Sequence, residues 1–125
     1  GAVIVRDKRI IATGYNGAPS SIKNCLERGE CLRDKMQIPS GTRHEICYST
    51  HGEQNALMQA SKLGIPVDGA TIYITHRPCT ICTKLLISSG ITRIVYGYDY
   101  PDEFSTELLK ESGIELVFMP YKEKE

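Results

Sequence analysis

Apolar residues come in short bursts along this chain, and the spacing inside each burst changes several times. Residues 2–5 (AVIV) are continuous and β-branched, Arg6-Asp7-Lys8 is a polar break, and residues 9–15 return to a strand-like pattern, which predicts a hairpin. Asn16-Gly17-Ala18-Pro19-Ser20 then punctuates the chain as a tight loop. From there to Ser49 no clean period is visible, and an aperiodic stretch of that length inside a compact domain is expected to be functional or pinned by something. Ser49 or Thr50 can cap a helix over residues 51–63, in which Ala56, Leu57, Ala60 and Leu63 recur at helical spacing and Gly64 and Pro66 close the run. The alternating, β-branched run ATIYIT at 70–75 predicts a strand. Pro78 suits the first turn of a helix over about 79–89 that stops at Gly90. A strand over 93–98, a helix over 104–112 and a last strand over 114–119 follow, with a solvated tail at 121–125. A hairpin followed by helix–strand alternation predicts a mixed sheet of about five strands with helices on both faces, in a single domain covering residues 1–125.

Composition narrows the function classes. The chain has 125 residues, 41% of them hydrophobic and 24% charged, which suffices for one domain with one core. No apolar run approaches the roughly 20 residues that span a bilayer, so no membrane partner is expected. Fifteen basic residues balance fifteen acidic ones. Gripping a polynucleotide calls for a basic face, and its absence points to a small ligand instead. The start, GAVIVRDKRII, lacks the basic region and cleavage site of a signal peptide and reads as a strand without whatever preceded it. Five cysteines cannot all pair internally, so a reduced, cytoplasmic setting is expected, with the thiols available for metal or chemistry.

The strongest chemical signal is His51-Gly52-Glu53 together with Pro78-Cys79-Thr80-Ile81-Cys82. Two cysteines three apart at a helix start turn their sulfurs to one side, where the helix dipole favours thiolates. An imidazole from a second helix start completes three protein ligands, the number expected of a catalytic zinc with an open position. Glu53, two residues from the histidine, is then placed to serve the open position. This set predicts hydrolytic deamination: zinc lowers the pKa of its water to roughly 7, the hydroxide attacks the ring carbon, and a carboxylate shuttles the proton. The pattern H-x-E…P-C-x-x-C is that of zinc deaminases acting on cytosine or adenine.

A second constellation lies in the irregular stretch. Cys25, Cys31, His44 and Cys47, spaced C-x5-C, twelve residues, H-x2-C, can close a structural zinc site, which would order a long loop. The competing reading makes the cysteines small buried apolar residues and His44 a surface side chain. His76 either lines the pocket or is a loop histidine without a role. Asn16, leaving the sheet in a Tyr-Asn-Gly loop, is either a turn residue or an amide that contacts a sugar hydroxyl.

The segments GAVIV, IIATGYNGAP, SGTRHEIC, HGEQNAL, YITHRPCTIC and GIT-RIVYGYDY together resemble deoxycytidylate deaminases, including the bacterial late-competence type, over residues 1–100. The resemblance implies hydrolysis of dCMP to dUMP and ammonia, a three-layer α/β/α cytidine-deaminase fold, and a homo-oligomer, often a hexamer. It also implies dCTP and dTTP as effectors. By matching positions, His51, Cys79 and Cys82 would ligate the catalytic zinc, with Glu53 as the proton shuttle. Asn16 would contact the deoxyribose, the Gly52 backbone N–H the pyrimidine carbonyl, and Tyr100 the substrate. A second zinc would sit at Cys25, Cys31, His44 and Cys47. Two departures stand out: glycine at position 52, where the family usually carries alanine, and no N-terminal helix ahead of GAVIV. The rival readings are a deaminase of another base, nucleoside or tRNA adenosine, and a zinc-stabilised binding module without catalysis. Phosphate recognition has only candidates: Ser20, Ser21, Lys23 and Arg43.

Overall fold

In a computed structural model, which describes residues 1–40, 42–43, 46–100 and 102–120, the expected hairpin forms from β1 (Ala2–Arg6) and β2 (Arg9–Gly14), turned at Asp7 and Lys8 in left-handed backbone. Two helical turns follow in the aperiodic stretch, α1 (Cys25–Arg28) and α2 (Leu32–Lys35). The alternation is then α3 (Gly52–Leu63), β3 (Thr71–His76), α4 (Thr80–Ser89), β4 (Arg93–Tyr98), α5 (Glu103–Ser112) and β5 (Glu115–Phe118). The strands form one mixed sheet in the order β2-β1-β3-β4-β5. β1 runs antiparallel to both neighbours, while β3, β4 and β5 are parallel.

That order decides where the helices go. A crossover between parallel strands is right-handed, and two crossovers stepping the same way across a sheet put their helices on the same face. α4 and α5 therefore pack side by side, and α3 lies beside α4 over β1 and β2. One core results: Ile4, Ile72, Ile74, Ile94 and Tyr96 from the strands meet Ala56, Leu57, Ala60, Leu86 and Leu109 from the helices. The opposite face carries an open, mostly apolar groove of about 690 Å³ whose lining, among the described residues, comes from the strands and their ends, Val3, Thr13, Tyr73, Val95 and Gly97 included. The mixed five-stranded α/β architecture is as the sequence predicts. The second helical layer is not found among the described residues.

α3 approaches the sheet so closely at Gly14 that a side chain has no room there. A Cβ on that residue would stand 2.2 Å from the Gly52 carbonyl oxygen and 2.4 Å from the Ala56 nitrogen. The short α1 shows why the aperiodic stretch hides its helices. Four residues cannot display a period, although the capping box of Asn24 and Glu27 marks this one in the sequence. No helix among the described residues is long and apolar enough to cross a membrane.

Candidate metal centre and active-site cleft

Two helix starts converge at the end of the sheet. His51 is the N-cap of α3 and Cys79 the N-cap of α4, so each sits in extended backbone just before its helix, where the first N–H groups lack partners. The Cys79 sulfur accepts the Cys82 N–H at 3.5 Å, and the Gln54 side chain accepts the His51 N–H at 3.2 Å. Cys82, one turn into α4, is fully buried. His51 Nδ1 lies 3.3 Å from Cys82 Sγ and 3.7 Å from Cys79 Sγ. Metal–sulfur and metal–nitrogen bonds of about 2.3 and 2.0–2.1 Å at tetrahedral angles put N and S about 3.6 Å apart, so these separations suit one shared zinc ion. Among the described residues this is the one group of three metal-donor side chains, with all donor atoms within 4.8 Å of one another.

The electrostatics fit a cation site. A hydrogen bond from the Cys82 thiol, opposed by burial and supported by His51, holds the Cys79 thiol down to about 4. Cys82 moves upward because its proton bonds to Cys79, because it is buried, and because the Glu53 carboxylate faces it. His51 is raised by its hydrogen bond to the Cys79 sulfur, with burial acting the other way. The three groups thus share protons that a divalent ion would displace.

The corner opens into a cleft of about 410 Å³ lined by Asn16, Arg33, Ser40, Cys47, His51, Glu53, Thr75, His76, Arg77, Cys79 and Tyr100. Glu53, Asn16 and Tyr100, which the sequence singles out, thus share one hollow with His51 and Cys79, and His76 lines it as well. Gly52 is buried beside them, and its N–H donates to Asn16 Oδ1 at 2.6 Å. The N–H expected to meet a pyrimidine carbonyl therefore already has an acceptor. A Cβ at Gly52 would meet Asn16 Oδ1 and Gly1 only at 3.4 Å, so an alanine fits there. Ser20 lines a different hollow against α3, and Ser21, Lys23 and Arg43 are not among the cleft residues.

Cys25 opens α1, Cys31 caps α2 and Cys47 lines the cleft, with its sulfur accepting the Ser49 N–H at 3.4 Å. These three sulfurs do not form a three-donor group here, and His44 lies outside the described residues. Arg33 supplies much of the order in this stretch. Its guanidinium donates to the carbonyls of Pro39 at 3.0 Å, Arg43 at 2.5 Å and Ile46 at 3.3 Å, and to that of Thr42.

Two further residues carry weight that their types alone do not reveal. The Asn55 amide on α3 donates to the carbonyls of Tyr15 (2.7 Å), Gly17 (3.4 Å) and Thr50 (3.3 Å), tying the loop of Asn16 to the helix of Glu53. Asp102 accepts both the Ser105 N–H that starts α5 and the Thr80 N–H that starts α4, at 3.0 and 3.1 Å. The only signals in the sequence were an amide in a helix interior and an acid before a helix.

A mixed sheet whose neighbouring helix starts bring one histidine and two cysteines together, with a glutamate beside them, matches the donor pattern of zinc-dependent nucleobase deaminases. The chain belongs to the MafB19-like deaminase family, whose profile it matches over residues 1–119. It is 41% identical over 116 residues to ComE operon protein 2 of Bacillus subtilis, covering 91% of this chain and 56% of that protein. It is 38% identical over 115 residues to the deoxycytidylate deaminase of Saccharomyces cerevisiae, covering 91% of this chain and 36% of that one. The chain thus spans about half or less of these relatives' length. In three dimensions it is similar to the dCMP deaminase of cyanophage S-TIM5, solved in complex with dCMP and dUMP, with a TM-score of 0.71 and 26% identity over 94% of this chain and 79% of that one.

Proposed function

We propose that the protein hydrolyses dCMP to dUMP and ammonia, with zinc held by His51, Cys79 and Cys82 and with Glu53 carrying the proton. The observation that carries this reading is the convergence of those three donors at one corner, with His51 and Cys79 opening into the cleft that Glu53 lines. Similarity to proteins named deoxycytidylate deaminases supports the substrate. A zinc ion in this corner supplies Lewis acidity that acidifies water at neutral pH. Glu53 would take one proton from the water and pass it to the ring nitrogen, and would then carry the second from the new hydroxyl to the departing amine. The water's oxygen ends on C4 and the exocyclic nitrogen leaves as ammonia. Asn16 accepts from Gly52 and so keeps its amide NH2 as the donor to a sugar hydroxyl. A pyrimidine carbonyl reaches the Gly52 N–H by sharing it with Asn16 or displacing it. Tyr100, which lines the cleft, contacts the substrate in this reading.

The same reading extends to assembly and control. Met58 and Leu85, both exposed, border a mostly apolar hollow of about 570 Å³ between α3 and α4, the kind of surface a homo-oligomer such as a hexamer buries. dCTP and dTTP are the effectors to try. A second, structural zinc at Cys25, Cys31, His44 and Cys47 is supported by the donor set and requires the sulfurs to draw together. The test is a dCMP-to-dUMP assay with metal analysis on one preparation. Phosphate-dependent turnover with zinc bound is expected, and two zinc ions per chain would count the second site. Equal rates on deoxycytidine and dCMP would reject the nucleotide as the substrate.

A further inference from the structure

Cys79 lies between two residues that the start of α5 holds. Ahead of it, the Pro78 carbonyl accepts the Ser105 hydroxyl at 3.2 Å. Behind it, the Thr80 N–H and hydroxyl both donate to the Asp102 carboxylate, at 3.1 and 2.9 Å. Thr83, which directly follows Cys82, shares a 2.6 Å hydrogen bond with Ser105, and both side chains are fully buried. Arg77 adds a hydrogen bond to Thr106 and a 3.3 Å ion pair with Asp99. The turn that carries both cysteines is therefore gripped on both sides of Cys79 and directly after Cys82 by side chains that lie more than twenty residues away in sequence. Burial pushes the Asp102 carboxyl up, but the N–H of Ser105, the hydroxyl and N–H of Thr80 and the nearby Arg77 outweigh it and hold it below its ordinary value.

An N-cap needs only its own helix. Asp102 caps α5 through Ser105 and, with the same carboxylate, satisfies the first N–H of α4. We propose that Asp102 and Ser105 are positioning residues of the metal corner, fixing the direction in which Cys79 and Cys82 present their sulfurs. This rests on the metal reading above. The carboxylate touches neither metal nor substrate, and its effect is transmitted through Pro78, Thr80 and Thr83.

The experiment compares the full chain with Asp102→Ala, Asp102→Asn and Ser105→Ala, using Ile94→Val as a control for stability. Losing an aspartate cap and trimming Ile to Val in a core destabilise by similar amounts, so their thermal midpoints are comparable. Residues that orient metal ligands typically change metal affinity by about 10–100-fold. Zinc transfer to a chromogenic chelator should be at least about 10-fold faster in Asp102→Ala than in Ile94→Val, with Asp102→Asn partly rescued by its remaining oxygen. The kcat for dCMP should fall with little change in KM. Zinc release in Asp102→Ala and Ser105→Ala no faster than in Ile94→Val would overturn the proposal and leave a simple helix cap. If the unaltered chain holds no zinc, the metal reading fails. The clamp is then judged by alkylation of Cys79 and Cys82, mapped by peptide mass: faster labelling in Asp102→Ala than in Ile94→Val upholds it, and equal labelling overturns it.

Discussion

His51, Cys79 and Cys82 are held by the ends of two regular helices that pack into the core, whereas Asn16, Arg33 and Cys47, which line the adjoining cleft, sit on chain whose only helices among the described residues are four residues long. In the first region the main chain places the donors, since an N-cap position fixes where a side chain starts. In the second, the bonds run from side chains to loop carbonyls, with Arg33 and Asn55 as hubs. Bonds of that kind at a surface are each worth about 0.5–1.5 kcal/mol net, or somewhat more with a charged donor. The contrast teaches a division of labour: the helix-built corner is suited to the reaction, and the loop-built wall to choosing what enters.

Variants can break or sharpen that contrast. The largest effect is expected from Cys82→Ala. It removes a fully buried donor and should abolish zinc binding and lower turnover by at least about 10³-fold, read by metal analysis and product chromatography. Next comes Glu53→Gln, which should keep the zinc while kcat falls by about 10²–10⁴-fold. A binding module without catalysis would tolerate that change. Arg33→Met tests the other region. Its loop carbonyls lose their donor, so stability should fall by about 1–3 kcal/mol in denaturant titration and KM should rise, while zinc at the His51–Cys79–Cys82 corner stays. If Arg33→Met emptied that corner as fully as Cys82→Ala does, the two regions would not be separable. The smallest effect belongs to Gly52→Ala. At the first position of α3 the added methyl fits, and the melting temperature should rise by the equivalent of a few tenths of a kcal/mol with kcat unchanged.

The same contrast explains what the sequence revealed. β1 and β2, α3, and the run from β3 to β5 were legible because alternation, helical spacing and glycine stops are local signals, and each element is long enough to show them. The grouping of His51, Cys79 and Cys82 was legible because these residues come as two short motifs at two caps. α1 and α2 were not, since four residues carry no period. Neither were the Arg33 and Asn55 hubs or the Asp102 grip on Thr80. They are single polar side chains reaching backbone up to 40 residues away, and no spacing rule distinguishes them from solvated ones. Helices were expected on both sides of the sheet because strand–helix alternation does not encode strand order. The order β3-β4-β5 puts α4 and α5 on one side.

At Gly14 the strand and the helix touch main chain to main chain, with no side chain between them as a cushion. The gap between β2 and α3 is therefore a fixed length that substitution can widen and cannot narrow. Anything that widens it lifts the start of α3, and His51 and Glu53 with it, away from the cysteines. A deaminase built this way can acquire a new substrate only by redrawing its loops, and changes of appetite should accumulate between residues 15 and 50 while the floor of the cleft stands still.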